Sequence, residues 1–281
     1  MSAIMNSFAV LFTNKVLCGD HPFVCGLINT YEDSKNLYIL MNLENGKELF
    51  HVLYRNGPDI GDGHGTAALG KEYAQFVVAN LVLGIGHVHA HDFVFRDLKP
   101  ENVMVNRNGY VKLIDFGFAK VIPPGEKSFT LCGTAEYLAP EIVLGTGHNQ
   151  AVDWWTLGIV AYELRAVRTP FDASDDDEDD DDDDDDDESG HGGGATTKEQ
   201  KIRKRRNQVM SNIVSKKLKF PKGIMTDSAV AWIKSILRRE TQLRLGSAEV
   251  GGTATVRDAP WLGEMDWDSM LDQTLKPPRL R

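Results

Sequence analysis

Cysteine is scarce in this chain: Cys18, Cys25 and Cys132 are the only three in 281 residues. They form neither an even, pairable set nor a Cys-x-x-Cys spacing, which argues against a disulfide-stapled scaffold and a thiolate zinc centre. Long apolar runs are missing too. The stretch from Trp154 to Tyr162 falls far short of the roughly 18–20 residues that cross a bilayer, so no membrane partner is expected. No secretory leader is expected either: residues 3 to 14 are uncharged, but no basic residue precedes them and Asn6, Ser7, Thr13 and Asn14 interrupt them.

An excess of positive charge is also lacking, with 31 Lys+Arg against 41 Asp+Glu and a formal charge of -10. The imbalance is local. Asp175 to Glu188 are all acidic and supply -14, so the remainder carries -10 + 14 = +4. The overall acidity therefore says little about partners, and no nucleic acid is expected among them. With 42% hydrophobic residues the chain has ample material for a packed core.

Two stretches interrupt the globular pattern. Residues 57 to 66, rich in Gly and Asp, read as a surface loop. Residues 172 to 208 pass from the acidic tract through a Gly-rich run into Lys201-Ile-Arg-Lys-Arg-Arg206, a composition expected to stay disordered. The basic cluster would equally serve as a nuclear import signal or as the start of the next helix.

Elsewhere the periodicity is informative. Leu37 to Leu43 reads as a buried strand, and Glu72 to His89 carries helical spacing at Phe76, Ala79, Leu83 and Val88, weakened by Gly84 and Gly86. Val103 to Val105 and Tyr110 to Ile114 predict a hairpin about the turn Asn106-Arg-Asn-Gly109. Asp153 to Arg165 is apolar on nearly every face and predicts a central helix.

The hairpin matters for what stands at its open end. Pairing the strands brings Asn102 close to Asp115, an amide oxygen beside a carboxylate, which suits Mg²⁺ better than Zn²⁺. Asp97 and Lys99 lie just upstream. A carboxylate for a hydroxyl proton, an ammonium for a phosphate and a metal pair are what phosphoryl transfer requires.

Read as strings, Phe95-Arg-Asp-Leu-Lys-Pro-Glu-Asn102, Asp115-Phe-Gly117 and Ala139-Pro-Glu141 resemble the catalytic loop, metal loop and activation-segment end of eukaryotic protein kinases. The finer text, DFGFAK at 115 to 120, TLCGTAEYLAPE at 130 to 141 and VDWW at 152 to 155, resembles the cyclic-nucleotide-dependent branch of the AGC serine/threonine kinases. The likeness covers roughly residues 14 to 171 and 209 to 270.

That resemblance implies an α+β protein-kinase-like fold. Residues 1–41 would form a partial small lobe, 42–47 a hinge, 48–171 and 209–270 a mainly helical large lobe, 172–208 an insertion and 271–281 a short tail. Asp97 would be the catalytic base, Lys99 would meet the transferred phosphate, and Asn102 with Asp115 would hold Mg²⁺. Thr134 matches the threonine that contacts the base and the lysine, and Glu141 the acidic partner of Arg244. Met41 and Leu43 of the hinge and Met104 beneath would grip ATP. Thr130 would be the activation phosphosite, read by Arg96 and Lys120. Glu48, Glu101, Glu136 and Glu163 match carboxylates that receive arginines ahead of a target Ser or Thr, so protein substrates with basic residues before the acceptor are implied.

The resemblance further implies a regulatory subunit or domain as partner, with cyclic-nucleotide control as a family expectation and no nucleotide-sensing domain within this length. The acidic tract offers a second contact, to basic proteins. A cytoplasmic location is expected, or a nuclear one through Lys201 to Arg206. Three features of the family are not found ahead of the hinge: the Gly-x-Gly-x-x-Gly loop, the strand lysine and its helix glutamate. The chain is thus expected to begin partway through that helix. A pseudokinase and an acidic interaction scaffold stay open beside a working kinase.

Overall fold

The computed structural model describes residues 21–54, 68–173 and 198–280. Residues 57 to 66 and the acidic tract, both singled out by composition, lie outside them. The first described element is an antiparallel ribbon of β1 (Leu27–Glu32) and β2 (Leu37–Met41), closed by Asp33, whose Oδ1 accepts from the amides of Lys35 and Asn36 at 2.7 Å each. The strand over 37–41 forms as its β-rich text predicts, but Tyr38, Ile39, Leu40 and Met41 are exposed, not buried. A two-stranded ribbon has no second layer of its own, so apolar content predicts the strand and not what covers it.

A second sheet has the order β3-β5-β6, with β3 at Gly46–Glu48, β5 at Val103–Asn106 and β6 at Val111–Leu113. The expected hairpin is its core, in the register Val103↔Leu113, Met104↔Lys112 and Val105↔Val111. Gly109, at φ 87°, supplies the left-handed residue its turn needs. Gly46 and Lys47 belong to β3, which leaves 42–45 as the irregular part of the expected hinge. A third, short pair joins β4 (Phe93–Val94) to β7 (Lys120–Val121).

The helices fill the rest: α1 (Leu49–Leu53), α2 (Lys71–His89), α3 (Pro140–Val143), α4 (Ala151–Ala166), α5 (Lys198–Ser215), α6 (Asp227–Ile236), α7 (Gly252–Asp258) and α8 (Trp267–Leu271). α4 is the axle of the domain, buried from Ala151 through Leu164, as an apolar circumference requires. The glycines that lower the helix propensity of α2 have a packing use. A Cβ on Gly84 would stand 3.0 Å from the Phe23 carbonyl oxygen, and one on Gly86 2.8 Å from the Thr253 methyl. The same close approach lets Leu113 exchange backbone hydrogen bonds with Phe23 and Cys25, tying the ribbon's entry to the hairpin.

The expected insertion needs correction at its end. Residues 198–208 are not a disordered arm but the first turns of α5, every one of them exposed, continuing a helix that Val209, Asn212 and Ile213 anchor in the core. Lys, Arg, Gln and Glu are good helix formers, and an anchored segment supplies the nucleus that a free one must form unaided. The tail is pinned as well: Gly70 donates to the Leu280 carbonyl at 3.0 Å and Tyr110 Oη to that of Leu275 at 2.6 Å. Among the described residues, no helix is long and apolar enough to cross a membrane.

Candidate active site

The loop between β4 and β5 is shaped from below by one buried carboxylate. Asp153, in the first turn of α4 and wholly buried, accepts from the amides of Phe95 and Arg96 at 2.8 Å each and from His89 Nε2 at 2.7 Å. These bonds hold Arg96 at φ 68°, a left-handed conformation that costs a non-glycine residue energy and persists only where its surroundings fix it. The reversal aims the next residue, Asp97, back into the loop.

Asp97 is 5% exposed and its carboxylate is fully engaged. Lys99 Nζ lies 3.0 Å from Oδ2, Asn102 Nδ2 donates to Oδ2 at 2.8 Å, and Thr134 Oγ1 donates to Oδ1 at 3.3 Å. Lys99 also donates to Thr134 Oγ1 at 3.0 Å, which closes the network. Asp97, Lys99, Asn102 and Thr134, expected together from two separate stretches, are thus one hydrogen-bonded group.

Asn102 also donates to the Asp97 carbonyl at 2.8 Å, and its own carbonyl accepts from the Ile114 amide at 2.9 Å. The latter bond brings Asp115 to the end of the hairpin beside Asn102. Asp115 is exposed, sits at φ 61° and accepts from the Gly117 amide at 3.0 Å through Oδ1. With Asn102 Nδ2 turned to Asp97, the amide oxygen lies at the opposite corner, and Asp115 keeps Oδ2. An amide oxygen and a carboxylate oxygen, both hard donors, match the chemistry of a Mg²⁺ shared with phosphate and water. No group of three or more His, Cys, Asp or Glu side chains that could hold a metal occurs among the described residues; the small donor set suits an ion that takes most of its ligands from elsewhere.

Thr130 is exposed and lies within reach of Lys120 through Ser128: Lys120 Nζ donates to Ser128 Oγ at 3.2 Å, and Ser128 Oγ lies 3.5 Å from Thr130 Oγ1. Arg96 turns its Nε to the Phe118 carbonyl at 2.7 Å, while its Nη1 is buried without a hydrogen-bond partner among the described residues. An orphaned buried guanidinium nitrogen is costly, and an anion is what would satisfy it.

The comparisons agree with this geometry. A family model described as the protein kinase domain matches residues 13–261. The chain belongs to the protein kinase family. It is 33% identical over 259 residues to a cAMP-dependent protein kinase catalytic subunit of Arthrobotrys oligospora, covering 92% of this chain and 41% of that protein. It is 31% identical over 258 residues to cAMP-dependent protein kinase type 3 of Saccharomyces cerevisiae, covering 92% and 54%. It is 34% identical over 266 residues to cGMP-dependent protein kinase, isozyme 1, of Drosophila melanogaster, covering 95% and 29%. The chain spans about half or less of the length of these relatives.

In this kinase domain the four expected substrate carboxylates are not equivalent. Glu163 is buried, accepting from Tyr137 Oη at 2.7 Å and from Tyr54 Oη. Burial pushes its carboxyl up to about 7, the two phenols opposing the rise and the charges of Glu101 and Glu136 adding to it. Glu101 Oε2 is buried without a hydrogen-bond partner among the described residues, so it too is ready for a donor. Glu48 pairs with His51 at 3.1 Å, at the head of α1, which packs on the turn Pro100–Asn102. Glu101 and Glu136 lie close enough to Glu163 for their charges to act on it, and Glu48 occupies the N-cap position of the helix that packs on the turn carrying Glu101.

The expected nucleotide grip is less complete. Met104 lines an open depression of about 380 Å³ with Gly46, Lys47, Glu48 and His51. Met41 and Leu43 do not line it; Leu43 is 87% exposed. Sequence reading gave no role to Asp153 and His89, the pair beneath the loop. The signal was present: a carboxylate in the first turn of a helix apolar on nearly every face needs partners, and buried charges are paired. Glu141 and Arg244 form the expected pair, buried and bidentate at 2.6 and 2.8 Å.

Proposed function

We propose that this chain is the catalytic region of a serine/threonine kinase that moves the terminal phosphoryl group of ATP, with Mg²⁺, to Ser or Thr in arginine-rich segments of proteins. The observation that carries this reading is the closed network of Asp97, Lys99, Asn102 and Thr134 beside the Asp115 loop. Mg²⁺ would be held by Asn102 and Asp115, where it would neutralise phosphate charge. Asp97 accepts the acceptor hydroxyl's proton, and Lys99, fixed by both Asp97 and Thr134, offers its ammonium to the transferred group. Thr134 keeps the pair in register. Phosphate on Thr130 would meet Arg96 and Lys120 and so brace the loop that presents Asp97. Glu101, Glu136 and Glu163 receive arginines of the substrate. A regulatory subunit or domain, and a cytoplasmic setting, belong to the same reading.

The test is transfer of labelled phosphate from ATP to an Arg-Arg-x-Ser peptide by the purified chain. Incorporation should require Mg²⁺ and fall by about 10²-fold or more in Asp97→Asn and in Asp115→Ala. Equal incorporation by Asp115→Ala would sink the assignment. A second reading rests on a specific observation. Among the described residues ahead of the hinge the only lysine is Lys35, exposed in the β1–β2 turn, and it cannot serve as a buried phosphate clamp. The kinase domain would then bind partners without transfer. Tight peptide binding with no incorporation in the presence of Mg²⁺ and ATP would favour it.

A further inference from the structure

A pocket of about 300 Å³ opens at the far end of α4, away from Asp97, and its lining includes four cations against one carboxylate. Arg168 comes from the turn after α4, and Lys216, Lys217 and Lys219 from the segment after α5. The floor is fixed. Tyr162 Oη donates to the Lys219 carbonyl at 3.2 Å, and Lys216 donates its amide to Asn212 at 2.8 Å. Asn212 in turn donates to the Asp172 carbonyl at 3.0 Å, so the pocket and the point where the chain leaves Phe171 are one rigid unit. Asp172 is the one acidic residue in the lining, and its carboxylate lies 3.0 Å from Arg205.

We propose that this pocket is the docking site of the chain's own acidic tract, Asp175 to Glu188. Charge complementarity is the first argument: four cations converge on a pocket walled by Tyr162 and Phe220, and the sequence holds fourteen consecutive carboxylates. The tether is the second. Asp172 lines the pocket, and Asp175 follows three residues later, a reach of about 10 Å at most for extended chain. At so short a tether the tract is present at an effective concentration in the millimolar range, so weak charge-assisted contacts suffice. A second cationic surface, the exposed first turns of α5, lies at the tract's carboxyl side across Ser189 to Thr197. It presents single side chains around a helix, where the pocket gathers them about one concavity. The docking rests on charge and tether and requires no phosphoryl transfer.

Carbodiimide coupling of the full chain at low ionic strength, followed by peptide mapping, tests it. Amide links should join carboxylates of 175–188 to Lys216, Lys217 or Lys219, within one chain and independent of protein concentration. They should drop at least about fivefold in 0.5 M salt, where screening acts over a few ångströms. Links confined to Lys198, Lys201 and Lys204 would move the tract to α5 and overturn the proposal; so would links only between copies, or none. An equilibrium measurement stands beside it, using a labelled peptide with the sequence of 175–188. It should bind at least about tenfold tighter when the tract is replaced by Gly-Ser of equal length than to the native chain, and Lys217→Glu with Lys219→Glu should abolish the gain. Both lysines are exposed, so the fold survives the reversal. Equal affinity for native and replaced chains would mean that the tract does not occupy the pocket.

Discussion

Glu163 shows how one side chain's surroundings set a measurable property. A buried carboxyl titrating at about 7 is half protonated near neutrality, whereas an arginine of a substrate pairs only with the ionised form. As the pH falls through 7 the site therefore loses its ligand charge. Binding of an Arg-containing peptide with Ala at the acceptor position should weaken roughly eightfold between pH 7.5 and pH 6, and the Glu163→Gln variant should bind weakly with a flat profile over that interval. Calorimetry in two buffers of different ionisation enthalpy checks the same claim from the other side, since binding at pH 6.5 should release a proton in the wild type and none in the variant. A profile unchanged by Glu163→Gln would remove Glu163 from the arginine site. Asp153 works differently, touching no reacting group and acting through the two amides that set Arg96. Asp153→Asn would place an N–H donor against one of those amides or His89. Loss of incorporation of about tenfold or more, with peptide affinity intact, would mark it as a positioning residue.

At the level of elements, α4 decides much of what the rest can do, because Asp153 in its first turn holds the loop that carries Asp97, and Glu163 stands near its carboxyl end. α6 packs against it at Gly158. A Cβ on Gly158 would stand 2.6 Å from Ile236 Cγ2 and 2.8 Å from Leu237 Cδ2. Alanine's better helix propensity is worth about 1 kcal/mol, less than the roughly 1–3 kcal/mol that overpacking costs. Gly158→Ala should thus lower the urea midpoint, and a raised midpoint would show that α6 can back away. α2, α4 and the hairpin were legible in the sequence because helical periodicity, an apolar circumference and an Asn-Gly turn are local signals. The four-residue network around Asp97 was legible only through motif strings, since no periodicity relates Thr134 to Lys99. The exposure of β2 was not legible, and the helicity of 198–208 was legible only in part, as one open reading of Lys201 to Arg206. The first depends on what lies over the strand, and the second on an anchor, Val209 and Ile213, outside the charged segment itself.

The whole molecule carries its charge unevenly, and its acid stability depends on a few buried groups more than on the formal total of -10. Solvated carboxylates titrate alike folded and unfolded, so they contribute little to the pH dependence of stability. His148, 2% exposed, is held at about 4 by burial first and by Arg96 and Lys120, with Glu141 and Asp153 opposing. His21 is also held at about 4, by burial first and then by His87, His91 and Lys112; its ring stacks on that of His87 at 4.2 Å. Both folded values lie below the unfolded 6.5, so between pH 6.5 and 4 the unfolded chain binds more protons and stability falls as the solution is acidified. Glu163, raised from 4.5 to about 7, acts the other way, with the folded chain binding more protons between those values. At pH 7 the half-protonated carboxyl is balanced by two unfolded imidazoles, each about a quarter protonated, so stability is nearly flat there. Below pH 6.5 two imidazoles outweigh one carboxyl, a net uptake of about one proton on unfolding. Urea midpoints followed from pH 8 to 4.5 should accordingly stay nearly level down to about pH 7 and then decline. His148→Phe, which fills the same space without a titrating group, should remove most of the decline. A decline that persists in full would mean that the buried imidazole takes up its proton without unfolding the chain.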